Sequence, residues 1–230
     1  MATTLAIDIG GTGLKMIALD EAGTPVTERT RVLTPSPPTA DAVLAGLTGM
    51  LGSHGEYDRV SVGFPGVIEA GVVKTAANLD PSWIGVDVVA ALSERTGKPT
   101  RAANDADIQG WGVINGKGVE LVLTLGTGLG SAIFVDGELV PNLELGHHPF
   151  EKGDTYEERL GKVALKAAGK KKWLRRVKRA ITQLESTFNY TTLHLGGGNA
   201  KKVEGDLPEN VQIGLNVAGL LGGIALWRKP

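Results

Sequence analysis

Apolar residues recur along this chain in two rhythms, and glycine marks most of the changes between them. Residues 5–9 (L-A-I-D-I) are a continuous apolar run with one carboxylate, Asp8, inside it, the pattern of a buried strand. Gly10, Gly11 and Gly13 follow with Thr12 among them, and residues 14–19 are apolar again except for Lys15. The prediction is strand, glycine turn, strand. After a turn at 20–24, residues 26–33 predict a third strand, and 34–38 a proline-rich connection. Val43, Leu44, Leu47 and Leu51 fall at helical spacing in 40–51. Residues 59–64 predict a buried strand. Asp87 is placed to cap a helix at 88–95 that Gly97 ends. A short strand at 100–103 and a helix at 106–113 follow. Residues 155–187 read as one long helix whose buried stripe is Trp173, Val177, Ile181 and Leu184. The remaining elements are a strand at 191–195, a segment at 211–215 and a final helix at 216–227.

The first hairpin has a second copy. Residues 121–137 (L-V-L-T-L-G-T-G-L-G-S-A-I-F-V-D-G) laid ungapped on 5–21 put Gly126 on Gly10, Ile133 on Ile17 and Asp136 on Asp20. Internal similarity of this kind suggests two lobes of like topology. The expected lobes are 1–103, with a C-terminal helix at 216–230 packing back on it, and 104–215.

Composition narrows the class. Of 230 residues, 42% are hydrophobic and 21% charged, as in ordinary globular chains. A net charge of −1 gives no overall field towards nucleic acid or membrane. A glycine-rich nucleic-acid module also conflicts with the lack of interleaved aromatics. With no cysteine there are neither disulfides nor cysteine metal sites, which agrees with a cytoplasmic location. No apolar run nears the roughly 18 residues of a membrane span, and the chain starts at its first strand without a leader pattern. A homodimer stays open.

Candidate chemistry gathers at the glycine turns. A run of N–H groups plus a hydroxyl at Gly10, Gly11, Thr12 and Gly13 can cradle phosphate oxygens; an ordinary hairpin gives the same pattern. Gly126, Thr127 and Gly128 repeat it, and because a strand follows, a dinucleotide fingerprint is disfavoured. Gly66 lies in a rigid G-F-P-G-V turn that could present backbone groups. Asn78 opens a polar loop containing Trp83, a composition suited to hydroxyl-rich ligands. Asn104 and Asp105, at a strand end and helix start, are either caps or a hydroxyl-orienting amide beside a general base. Glu144 and His147 stand three apart and could converge on a ligand. His147 and His148 could instead hold a metal, but no third ligand stands at zinc-like spacing. Gly197, Gly198 and Asn199 form another glycine turn, opening a helix. Lys166, Lys170, Lys171, Lys172, Arg175, Arg176, Lys178 and Arg179 are either a solvated helix face or a platform for a polyanion.

Taken in order, D-I-G-G-T-G-L-K (8–15), G-F-P-G-V (63–67), N-D-A-D (104–107), L-G-T-G-L-G-S-A (125–132), E-L-G-H (144–147) and L-G-G-G-N-A-K-K (195–202) resemble the ROK sugar kinases. The likeness is greatest to the polyphosphate- or ATP-dependent glucokinases of that family. The resemblance implies an α/β fold of the actin-like, ribonuclease-H-like kind, two lobes with sugar in a cleft. It implies phosphoryl transfer from polyphosphate or ATP to the 6-hydroxyl of glucose or a related hexose, with Asp105 as general base. Asn104, Glu144 and His147 are then sugar ligands, joined by Gly66 and Asn78. Glu157 is the expected last sugar glutamate, with Glu158 its competitor. Asp8 serves magnesium through water or phosphate. Gly10, Gly11, Thr12, Gly13, Lys15, Gly126, Thr127, Gly128, Gly197, Gly198 and Asn199 serve the phosphates or nucleotide. The chain departs from many members in lacking the cysteine-rich zinc motif after the histidine, so no zinc is expected. It also lacks a helix-turn-helix, which argues against the repressor branch. A sugar-binding sensor without catalysis is the alternative, and retention of both Asp8 and Asp105 speaks against it.

Overall fold

In the computed structural model, which describes residues 2–214 and 222–228, the first apolar run is β1 (Thr4–Gly10). It returns antiparallel as β2 (Gly13–Leu19), and β3 (Thr30–Val32) lies beyond that. The third strand is shorter than its apolar pattern. Val26 N–H still donates to the Ala18 carbonyl, but the Ala18 N–H goes to the Thr27 hydroxyl at 3.0 Å. That hydroxyl also meets buried His54 Nδ1 at 3.0 Å. A side chain thus takes the place of a ladder carbonyl, and regular pairing begins only at Thr30.

α1 (Ala40–Met50) is capped by Thr39 and buries Val43, Leu44 and Leu47. It leads to β4 (Arg59–Phe64). The short ribbon β5 (Ile68–Glu69) and β6 (Val72–Val73) follows. α2 (Val88–Thr96) has Asp87 as N-cap and Gly97 in the left-handed region as C-cap. β7 (Thr100–Asn104) then runs straight into α3 (Asp105–Trp111). The sheet order is β3-β2-β1-β4-β7, with β1, β4 and β7 parallel. Trp83 is fully buried edge-on to Phe64, 5.0 Å between centroids, so the aromatic of the polar loop packs in the core.

The second half repeats the plan. β8 (Val119–Leu125) and β9 (Leu129–Val135) form a hairpin, β10 (Glu138–Val140) adds to its edge, and the ribbon β11 (Pro149–Glu151) and β12 (Asp154–Thr155) follows. Three helices come next: α4 (Tyr156–Leu160), α5 (Lys162–Ala168) and α6 (Lys170–Phe188). β13 (Thr192–Gly196) and β14 (Val211–Ile213) close the sheet in the order β10-β9-β8-β13-β14, with β8, β13 and β14 parallel. Each sheet is therefore three antiparallel strands followed by two parallel ones. The ungapped overlay holds for β2 on β9 but slips by one on the preceding strand. The first turn is Gly11 and Thr12, whereas the second is Gly126, Thr127 and Gly128.

The single helix expected over 155–187 is broken at Gly161 and Gly169. Gly161 is extended and Gly169 has φ 75. Lys162 N–H donates to the Thr127 carbonyl at 3.1 Å, a distant contact that outweighs local helical propensity. The stripe survives: Trp173, Val177, Ile181 and Leu184 are all buried on α6. The turn after β13 opens only a 3-10 segment, Ala200–Lys202. Of the final helix expected at 216–227, the part before Gly222 lies outside the described residues, and Gly222–Trp227 is a 3-10 helix.

Contacts divide the chain into two units, Met1–Gly112 with the C-terminal segment, and Val113–Asn216. The division falls after α3 rather than before it, because α3 packs on β4, β7 and Gly222–Trp227. That last segment is clamped to its sheet. The Arg59 and Arg101 guanidinium groups lie over the Trp227 ring, 5.1 and 4.7 Å from its centroid, and its Nε1–H donates to Ser61 Oγ at 2.9 Å. Each unit has its own buried apolar cluster. No helix among the described residues is long and apolar enough to cross a membrane.

Candidate active site

In the first unit the register of the parallel strands aligns the candidate groups. Asp8 pairs with Gly63 and Gly63 with Ala103, while Asn104 pairs with Phe64. The carboxyl ends of β1, β4 and β7 thus bring Asp8 and Asn104 roughly 10 Å apart, two strand spacings of about 4.8 Å. Ligands gather outside such strand ends in α/β sheets. Asn104 Oδ1 accepts from Ala106 N–H at 2.8 Å and caps α3, and its Nδ2 donates to the Gly66 carbonyl at 3.2 Å. One amide therefore fixes both the helix start and the Gly66 turn, and Asp105 is the first residue beyond it.

The β1–β2 turn stands beside these groups. Lys15 Nζ donates to Asp8 Oδ2 at 2.6 Å, across the hairpin pair that joins the two residues. Gly11 and Thr12 are exposed, and their N–H groups have no partner among the described residues. The Asn78 backbone packs on Gly11, so Asn78 sits at the rim of this turn.

The second unit holds its own set. A Cβ on Gly128 would collide with the Glu157 carboxylate, whose Oε2 accepts from Leu129 N–H at 3.0 Å. Only glycine leaves room there. The three carbonyls of the turn are occupied by Asn199 Nδ2 on Gly126, Lys162 N–H on Thr127 and Gly126 N–H on Gly128. The N–H groups of Thr127 and Gly128 have no partner among the described residues. The turn is therefore braced through its acceptors while its donors stay available, the arrangement an anion needs. Gly197 has φ 80, and a Cβ there would meet the Leu125 backbone at 2.7 Å. The third glycine turn thus packs directly on the second.

Glu144 begins the 3-10 segment Leu145–His147, and His147 Nε2 lies 3.4 Å from Glu144 Oε2. Ser131 on β9 fixes this segment: its hydroxyl donates to the Leu143 carbonyl at 2.6 Å and accepts from Leu145 N–H at 3.1 Å. Burial pushes the Glu144 carboxyl above its ordinary value; nearby His147 opposes the rise and the Glu157 charge adds to it. Glu144, His147 and Glu157 therefore form one electrostatic group beside the glycine turn.

Glu158 does something else. With Thr155 it makes a capping box on α4, accepting from Thr155 N–H at 2.7 Å while the Thr155 hydroxyl accepts from Glu158 N–H at 3.2 Å. His148 is exposed with its ring beside the Pro149 carbonyl. Among the described residues no three His, Cys, Asp or Glu side chains gather as a metal site. Asn199 is buried, its amide spent on Gly126 and on Lys202 Nζ at 2.9 Å, so it braces the turn. Sequence reasoning missed Ser131 and Lys202. The serine lies in the G-S-A stretch after the second glycine turn, yet nothing local shows that its hydroxyl reaches Leu143 and Leu145.

Comparison with known proteins shows what the chain as a whole is similar to. The ROK family model matches residues 4–161. The polyphosphate glucokinase of Mycobacterium tuberculosis (strain CDC 1551 / Oshkosh) is 34% identical over 234 aligned positions, covering 94% of this chain and 88% of that one. That of Mycobacterium leprae is 33% identical, covering 94% and 72%. Among solved structures, the inorganic polyphosphate/ATP-glucomannokinase of Arthrobacter sp. strain KM superposes with a TM-score of 0.89 at 36% identity, covering 99% of this chain and 100% of that one. A ROK glucokinase of Streptomyces griseus, solved with glucose and AMPPNP, gives 0.81 at 20% identity over 97% and 98%.

Proposed function

The chain belongs to the ROK family, and from that membership we propose a hexose kinase that moves a phosphoryl group from polyphosphate or ATP to the 6-hydroxyl of glucose or a close relative. Its fold is the actin-like two-lobe fold of the ROK sugar kinases. The observation that carries the reading is the strand register of the first unit, which sets Asp8 and the Asn104–Asp105 pair at the same end of parallel strands, two strands apart. A base carboxylate and a glycine turn with open N–H groups then share one edge.

Phosphoryl transfer asks little covalent chemistry of a protein; it depends on alignment and on charge stabilisation. Asp105 takes the proton of the attacking hydroxyl, while Asn104 holds the first turn of α3 and the Gly66 carbonyl in place. Glu144, His147 and Glu157 take the other sugar hydroxyls, carboxylates and imidazole being acceptors and donors matched to them. Glu157 fits this role better than Glu158, whose carboxylate is spent on the helix cap. The turns at Gly11–Thr12 and Gly126–Gly128 direct N–H groups at phosphate oxygens.

Magnesium fits the donor set. Asp8 would hold the ion, with phosphate oxygens and waters completing a shell that one carboxylate suits. When bound, it would supply positive charge to the transferring phosphoryl group. Lys15, already on Asp8, supplies a second positive charge at the same edge.

A coupled assay for sugar 6-phosphate tests the reading, with glucose, mannose and other hexoses set against ATP and polyphosphate. Turnover of glucose with at least one donor is expected. Tight glucose binding without turnover with either donor would make the protein a sensor and overturn the proposal.

A further inference from the structure

α6 carries more positive charge than its packing uses. Between Lys170 and Arg179 the sequence is K-K-K-W-L-R-R-V-K-R, without one acid. Three lysines fill the first turn, where the helix dipole favours anions, and Lys171 with Arg175 is an i,i+4 like-charge pair that weakens a helix. The structure separates these cations into two groups. Arg176 and Arg179 turn to Glu151 at 3.2 and 2.8 Å and share its one carboxylate. Lys170, Lys171, Arg175 and Lys178 line a groove of about 500 Å³ together with Leu174 and Glu204. Lys170 pairs with Glu204 at 2.6 Å; among the described residues no carboxylate lies within ion-pair distance of Lys171, Arg175 or Lys178. Lys172, next to these in sequence, does not line the groove.

The segment that carries Glu204 is tied to the second glycine turn. Asn199 Nδ2 bonds the Gly126 carbonyl, Lys202 Nζ bonds Asn199 Oδ1, and the segment reaches Glu204 just beyond the Ala200–Lys202 turn. A row of cations from Lys170 to Lys178 spans about 12 Å of helix at 1.5 Å per residue. That exceeds a Debye length of about 8 Å at physiological salt, so a compact anion feels only part of the row. A linear polyanion meets all of it, and linked contacts multiply.

Resting on polyphosphate as a donor, we infer that this groove is the track for the unreacted length of the polyphosphate chain. Its terminal phosphate is consumed at the glycine turns, and Glu204 is the built-in anion that the chain displaces from Lys170. No bond is made or broken in the groove.

The test compares wild type, the triple variant Lys171→Glu/Arg175→Glu/Lys178→Glu, and Glu204→Gln, using long-chain polyphosphate, tripolyphosphate and ATP. Loss of several linked contacts should raise the triple variant's KM for long-chain polyphosphate by about tenfold or more, leaving its constants for ATP, tripolyphosphate and glucose near wild type. Unchanged ATP kinetics also show that the variant is folded. Glu204→Gln should lower the long-chain KM. Calorimetric titration with long-chain polyphosphate in the absence of sugar should show the same order of affinities. A triple variant with wild-type long-chain KM and affinity overturns the track while leaving the kinase reading intact. Wild type that uses ATP but no polyphosphate overturns polyphosphate as donor, and the track with it.

Discussion

Glu157 accepts a hydrogen bond from the backbone N–H of Leu129 at 3.0 Å, and its carboxylate fills the space where Gly128 has no side chain. A sugar-binding candidate and a phosphate-binding turn are therefore one mechanical piece. Glu157→Gln should raise the glucose KM about 10- to 100-fold, since hydrogen bonds to a charged group are worth about 1.5–3 kcal/mol. Glu158→Gln should leave that KM alone and lower the melting temperature slightly, because it removes only half of a capping box. Gly128→Ala should harm sugar and donor kinetics together. Steady-state kinetics on the three variants decide it; a Glu158→Gln variant with the larger glucose defect would exchange the two roles.

The raised pKa of Glu144 makes a linked prediction. Its folded-state value lies above the usual 4.5, chiefly through burial. Between those two values the folded protein holds a proton that the unfolded chain has lost, so stability from this group falls as pH rises through the window. Above that window the buried Glu144 carboxylate is a stability cost kept for sugar binding. Glu144→Gln should therefore raise the melting temperature at pH 7–8 more than at low pH, while raising the glucose KM. Melting curves across pH check the first half; a variant less stable than wild type at neutral pH refutes it.

Much of this was legible in the chain because the signals are local. Continuous apolar runs on either side of a glycine turn gave β1, β2, β8 and β9, and the repeat of that pattern pointed to a duplicated sheet. The stripe Trp173, Val177, Ile181 and Leu184 was also readable. The breaks at Gly161 and Gly169 were not, since the lysine- and alanine-rich sequence around them keeps a helical rhythm and the Lys162–Thr127 bond is long-range. The same holds for Glu157 on Gly128, Ser131 under Glu144 and the two-way split of the α6 cations. Thr27 gave no hint that its hydroxyl would replace a strand carbonyl.

Asp8 and Lys15 make a testable pair. The ammonium 2.6 Å from the carboxylate competes for the charge that a magnesium ion needs. Asp8→Asn should raise the magnesium concentration at half-maximal rate and lower kcat. Lys15→Met should lower that magnesium requirement while raising the donor KM, since one cation has left the phosphate side. Magnesium titrations of both variants give the answer, and an unchanged curve for Asp8→Asn removes Asp8 from the metal.

Asn104 and Asp105 adjoin in sequence but carry separable duties. Asn104 holds Ala106 N–H and the Gly66 carbonyl. Asn104→Ala should therefore cost about 1 kcal/mol of stability, the usual loss of an N-cap, and weaken glucose binding by loosening the Gly66 turn. Asn104→Asp keeps the cap acceptor but sets a carboxylate oxygen against the Gly66 carbonyl, so it should recover only part of the stability and none of the glucose affinity. Asp105→Asn keeps the size of the side chain, so the fold and glucose binding should persist. Its kcat should fall by about 10²–10⁴-fold, the range of a general-base contribution. Calorimetric glucose binding alongside turnover separates the cases. A base lost shows as kcat alone, a cap lost as melting temperature, and a turn displaced as glucose affinity. Near-normal turnover in Asp105→Asn would mean that the donor and the glycine turns suffice without a base, and Asp105 would leave the mechanism.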